Sequence, residues 1–152
     1  ISDQNMKDLL YLKDDQIKDC IQLLLYAYRE TFSDPAEILK KKSLGFAHLR
    51  TLHLVEGNEG ISVNELLSKL KITKQSLNRV LKDLKRLKMI KQIKDRVDTR
   101  RKLLYLDDDV KKIFGEVFES QKKRIFNALK DSDPSSVIKF KEVLKKIING
   151  KK

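Results

Sequence analysis

Cysteine is nearly absent. Cys20 is the only one in 152 residues, which excludes an intrachain disulfide and a zinc site built from four cysteines. A chain of this length can bury a sufficient core without such staples, and sparse cysteine fits a reducing cytosol. Proline occurs only as Pro35 and Pro134, glycine five times and tryptophan not at all, so little interrupts a helix. No apolar run reaches the roughly 18 to 20 residues that span a bilayer, and the first residues show neither the basic start nor the apolar stretch of a secretory signal. The expectation is a soluble, cytoplasmic protein without a membrane partner. Histidine is scarce too: His48 and His53 lie five residues apart and do not share a helix face, so no metal is expected. With no glycine-rich phosphate loop, and no nucleophile and base at a recognisable spacing, neither a cofactor nor catalysis is expected.

Charge, by contrast, is abundant and one-sided. The formal net charge is +12, which suggests a polyanionic partner unless the lysines serve only solubility. Their location separates the two readings. Between Lys71 and Lys102 stand thirteen lysines and arginines against Asp83, Asp95 and Asp98. About a fifth of the chain therefore carries nearly all the excess, the footprint of a phosphate-binding surface.

Most windows repeat apolar residues at helical spacing, and the protein reads as mainly α. Ile17, Ile21, Leu24 and Tyr28 form one stripe, widened by Leu23 and Leu25, so the first long helix needs more than one neighbour. Asp34-Pro35 reads as a helix start, with the aspartate as cap and the proline in the first turn. Leu44 to Val55 is expected to continue helically until Gly57, Asn58 and Gly60 turn the chain. Ser62 and Glu65 have the spacing of a reciprocal capping box, flanked by Ile61 and Leu66 as a hydrophobic staple. Thr73 starts a second helix only a few residues later, with Ile72 and Leu77 placed for the same staple. In that helix Leu77, Val80, Leu81, Leu84 and Leu87 line one face, while Lys74, Gln75, Asn78, Arg79 and Lys82 lie on or beside the other.

Two short strands follow, over 89–93 and 102–106, joined by a charged connection that makes a hairpin with a basic tip. Asp107, Asp108 and Asp109 complement the positive end of a further helix dipole, and they read as a cap rather than a metal site. Val110, Ile113, Phe114, Val117 and Phe118 supply that helix with an apolar face, continued by Ile125, Phe126 and Leu129. Asp133-Pro134 starts a last helix, whose stripe of Val137, Phe140, Leu144 and Ile147 is broadened by Ile138, Val143 and Ile148. It exposes too much apolar surface to stand alone.

A capped helix, a short turn, a polar-faced helix and a basic hairpin make the pattern of a winged helix-turn-helix, and the expected partner is double-stranded DNA. The second helix suits a major groove, where Gln75 and Asn78 match adenine edges and Arg79 matches guanine. Thr73, at the helix start, belongs to the same surface, and Lys74, Ser76 and Lys82 suit backbone phosphates. The wing tip would place Arg96 or Arg100 towards a minor groove, with Asp95 and Asp98 orienting those guanidinium groups, and Arg101 belongs to the same DNA-binding surface.

The order of elements resembles the MarR (multiple antibiotic resistance regulator) family over most of the chain. The wing, Asp95-Arg96-Val97-Asp98-Thr99-Arg100-Arg101-Lys102-Leu103-Leu104-Tyr105-Leu106, is similar to the family's Asp-x-x-Asp-x-Arg followed by a strand and a helix start. Ser76 to Leu84 is similar to its recognition helix. Lys71 and Lys88 depart from the pattern, since the family often has glycine at both turns. The resemblance implies a helical dimerisation region over 1–33 and 108–152 around a winged helix-turn-helix domain over 34–107. Two copies would interlock through their first and last helices and present recognition helices roughly 34 Å apart to a palindromic operator. It implies a homodimeric repressor with a small-molecule effector, for which Tyr11, Tyr26, Tyr28 and the phenylalanines could line an aromatic pocket. The competing expectation is a winged-helix module for protein–protein assembly. Cys20 stands where peroxide-sensing relatives carry a reactive thiol, but Asp14, Asp15 and Asp19 disfavour a thiolate. It reads as a buried spectator.

Overall fold

The computed structural model describes residues 9–150, apart from the side chain of Ile113, so the expected inward role of Ile113 lies outside the described residues. The chain divides into two compact units, one joining the residues up to Ser33 with those from Ser120 onward, the other covering Asp34–Glu119. Each is considered by itself.

In the second unit, helices α2 (Ala36–Lys41) and α3 (Phe46–Gly57) precede a two-residue strand β1 (Ile61–Ser62), α4 (Val63–Leu70) and α5 (Lys74–Arg86). Strands β2 (Ile90–Lys94) and β3 (Lys102–Leu106) and the first part of α6 (Asp108–Lys130) complete it. The sheet is antiparallel in the order β1-β3-β2. Ile61 stands opposite Leu104, and Ile90 opposite Leu106. The core joins Leu49, Leu52 and Val55 of α3, Leu66 of α4, Leu77, Leu81 and Leu84 of α5, and Leu104 and Leu106 of β3, all buried. Helix α5 is thus fixed along its whole apolar side.

Three local features differ from expectation. First, the chain from Leu44 is not continuously helical. Ser43 adopts φ 57°, its N–H donates to Lys40 O and that of Leu44 to Leu39 O. This 6→1 and 5→2 pair ends α2, and Leu39 and Leu44, both buried, supply the apolar contact such an ending favours. A serine where glycine is usual hides the break from the sequence. Second, Pro35 occupies the N-cap position of α2 instead of its first turn. Third, Leu87 is the C-cap of α5 and is exposed, not part of the core face.

Lys71 and Lys88 adopt φ 53° and 55°, so both retain the left-handed backbone that glycine would supply. Lys88 N–H donates to Lys85 O and Met89 N–H to Leu84 O, closing α5 by the same two bonds that end α2. A left-handed lysine costs about 1–2 kcal/mol, partly offset by the smaller entropy it loses compared with glycine. Lys88→Gly is therefore expected to raise stability by about 0.5–1 kcal/mol in urea or thermal unfolding. A loss of stability would mean that the lysine stem holds the turn by packing.

The first unit contains a single 3₁₀ turn at Leu10–Leu12, α1 (Asp14–Ser33), the second half of α6 and α7 (Pro134–Asn149). Asp133 caps α7 as expected: its carboxylate accepts from Ser136 N–H at 2.9 Å and from the hydroxyls of Ser135 and Ser136. Those hydrogen bonds hold its carboxyl well below the usual carboxylate range. Gln121 Nε2 donates to Thr31 O at 3.1 Å, tying α6 to α1. Yet neither α1 nor α7 has a buried residue. Ile21, Leu24 and Leu25 on α1 and Phe140, Val143 and Ile147 on α7 all reach solvent. Cys20 is exposed for the same reason, which corrects the expectation of a buried thiol.

Candidate nucleic-acid interface

The Thr73 hydroxyl oxygen accepts from Ser76 N–H at 3.1 Å, and the hydroxyl donates to Ser76 Oγ at 2.8 Å. Both side chains are therefore engaged in starting α5. With Leu77, Val80, Leu81 and Leu84 buried, helical geometry places Gln75, Arg79, Lys82 and Arg86 at the outermost part of the opposite side. Lys74, Asn78 and Lys85 form a second row, turned towards the wing. The expected contact residues of α5, from Thr73 to Lys82, are all exposed, and the helix brings them onto one surface.

The rotation of α5 is also held from its other flank. Gly45 N–H donates to His48 Nδ1 at 3.1 Å, which leaves the ring proton on Nε2, 3.0 Å from Asp83 Oδ2. His48 therefore bridges α3 and α5. This hydrogen bond is the main cause holding the Asp83 carboxyl below its ordinary range, assisted by Arg86 at 3.7 Å. The sequence carries no local signal for this link, because its two residues are 35 positions apart.

The wing is built by its aspartates. Asp95 Oδ1 accepts from Val97 N–H at 3.0 Å and Asp98 Oδ1 from Arg100 N–H at 3.1 Å, a pair of side-chain-closed turns. Arg100 Nε also donates to Asp98 Oδ1 at 3.2 Å. Arg101 is placed differently. It pairs with Glu65 on α4 and stands 3.9 Å from Asp95 Oδ2, so it fastens the wing to the bracing helix. The same contact alters the expected capping box: Ser62 Oγ accepts from Glu65 N–H, but the Glu65 carboxylate turns to Arg101. Arg96 is exposed, and Val97 beside it is 96% exposed at the tip.

Between α5 and the wing lies an open cleft of about 620 Å³. Lys74, Asn78, Lys82 and Lys85 line one wall, Arg100, Arg101 and Lys102 the other, with Asn64 and Gln92 between them. Among the described residues no carboxylate lines it. Burial and the neighbouring Lys102 push the Lys85 ammonium below its ordinary range. The arrangement can accept extended anions and presents amides beside cations.

Three stacked helices, a short turn before an exposed polar helix and a sheet-borne basic wing define a winged helix-turn-helix DNA-binding protein. A family model described as MarR family matches residues 43–101. The chain is 34% identical over 141 residues to the HTH-type transcriptional regulator PetP of Rhodobacter capsulatus, covering 93% of this chain and 85% of that one. The fold is similar to that of a MarR family regulator from Silicibacter pomeroyi, with TM-score 0.76, 14% identity and coverage of 95% and 97% of the two chains. It is also similar to the PcaV transcriptional regulator from Streptomyces coelicolor in complex with its natural ligand, with TM-score 0.61, 13% identity and coverage of 95% and 97%. The chain belongs to the MarR family of transcriptional regulators.

Proposed function

We propose that this regulator acts in the cytoplasm as a homodimer on a palindromic operator, where its presence blocks transcription. The observation that carries the reading is the outward row of Gln75, Arg79 and Lys82 on a helix locked from beneath by leucines and from the side by His48. Amides and a guanidinium on a rigid rod suit base edges, whereas flanking lysines suit phosphates. Gln75, Asn78 and Arg79 read bases. Thr73, Lys74, Ser76 and Lys82 hold the backbone, Arg96 and Arg100 reach the minor groove, and Asp95 and Asp98 orient the wing. Arg101 contributes its charge to the same surface while fastening the wing. Dimerisation uses the apolar faces of α1 and α7, on which no described residue is buried within the subunit. That PcaV is described with a natural ligand supports release by a small-molecule effector.

Titration against random duplexes and against palindromes recovered by selection, at several salt concentrations, tests the proposal. A specific site should bind about 10³-fold or more tighter than random DNA. Equal, weak binding to both would replace this reading by that of a protein-assembly module.

A further inference from the structure

The acid-free cleft beside α5 contains a pair of residues that the functional reading leaves unused. Lys85, in the last turn of the recognition helix, and Lys102, the first residue of β3, both line it. They come from elements fixed independently: α5 by its buried leucines, β3 by pairing with both β1 and β2. Among the described residues neither side chain has the kind of partner that occupies Arg101, and no carboxylate lines the cleft to neutralise them. Two ammonium groups that line one cleft without a counter-charge repel each other. Partial burial first and Lys102 second push the Lys85 ammonium below its ordinary range, and the second of these is that repulsion. An anion between them removes that repulsion.

Resting on the reading of this surface as a DNA interface, we propose that Lys85 and Lys102 together form a backbone-phosphate station, which grips the strand running through the cleft between recognition helix and wing. The occupant is a phosphodiester of duplex DNA. The cleft is open, and Lys74 and Lys82 on its helix wall continue the cationic track for neighbouring phosphates. Its amides, Asn64 and Gln92, can donate to phosphate oxygens without reading sequence. The station therefore contributes affinity and register, not base preference.

The test is a salt titration of the full chain on a random duplex and on its selected site, for the unaltered protein and for Lys85→Met, Lys102→Met and Lys85→Arg. Each methionine variant should flatten the slope of log K against log salt by about one on both duplexes. The ratio of specific to random affinity should stay unchanged, and Lys85→Arg should retain the original slope. Unfolding curves confirm that α5 is intact. Unchanged slopes in both methionine variants, with the unaltered protein still binding DNA, would overturn the station alone, as would a changed specificity ratio. Failure of the unaltered protein to bind any duplex would overturn the underlying reading and the station with it. Equilibrium dialysis with inorganic phosphate separates the two sources of the same chemistry. Saturable uptake that disappears in Lys85→Met would make the cleft a small-anion site and overturn its assignment to the DNA strand.

Discussion

Replacing Ile21 and Ile147 together by glutamate is expected to yield a monomer whose affinity for a palindromic operator falls by roughly 10²- to 10⁴-fold, while its affinity for a single half-site stays the same. Ile21 is 61% and Ile147 52% exposed within the subunit, so the substitutions should not disturb its own packing. The argument is one of unpartnered surface. Across α1 and α7, leucine, isoleucine, valine and phenylalanine side chains reach solvent in long rows. Contiguous apolar surface on this scale marks an interface in a soluble protein. Two charges inserted there must be desolvated without partners if the copies associate. Loss of the second subunit turns an intramolecular second contact into an independent one, which is the origin of the predicted factor. Sedimentation equilibrium reports the mass, and titration on whole and half sites reports the affinities. A dimer that survives both glutamates would place the interface elsewhere on the chain.

The sequence revealed best those parts of the structure that are governed by neighbours along the chain. Thr73 and Ser76, or Asp133 and Ser136, are three residues apart and bond as their spacing implies. The recognition helix was legible because its apolar and polar residues separate cleanly at helical period, with Leu87 alone misplaced at the cap. What escaped notice was governed by distance or by unusual residue choice. Strand β1 is two residues long, too short to show alternation, and exists because Leu104 and Leu103 lie opposite it. The turn at Ser43 adopts glycine-like geometry without glycine, as do those at Lys71 and Lys88, which only the family resemblance marks as turns. The roles of Glu65 and Arg101 changed together, because their contact crosses from α4 to the wing. A local motif cannot reveal that its acidic member is claimed by a residue 36 positions away. Gly60 shows the converse case. Its φ of 88° and the Tyr105 hydroxyl 3.2 Å from where a Cβ would stand explain the glycine in the turn, though the sequence signalled only a break.

Two positions on opposite faces of α5 should respond to alanine in different ways. Leu77 is fully buried, and truncating it removes apolar contacts from the point where α5 meets the domain core. Leu77→Ala should cost about 2–5 kcal/mol of folding stability, the range for a buried leucine whose surroundings close only partly around the gap. Arg79, two residues on, is exposed on the outer row. Arg79→Ala should leave stability within about 0.5 kcal/mol but weaken binding to the selected operator by about 1–3 kcal/mol and relax one base position, as expected when a bidentate guanine contact is lost. Urea unfolding and competition against single-base operator variants separate the two effects. Should Arg79→Ala weaken every sequence equally, the guanidinium would be a phosphate contact and base reading would pass to Gln75 and Asn78. Should Leu77→Ala leave stability unchanged, α5 would not be anchored by its apolar face, and a rod free to roll cannot hold Gln75, Asn78 and Arg79 in register with base edges. Sequence reading by the outer row thus depends on the buried row beneath it, and this pair of variants measures the two contributions separately.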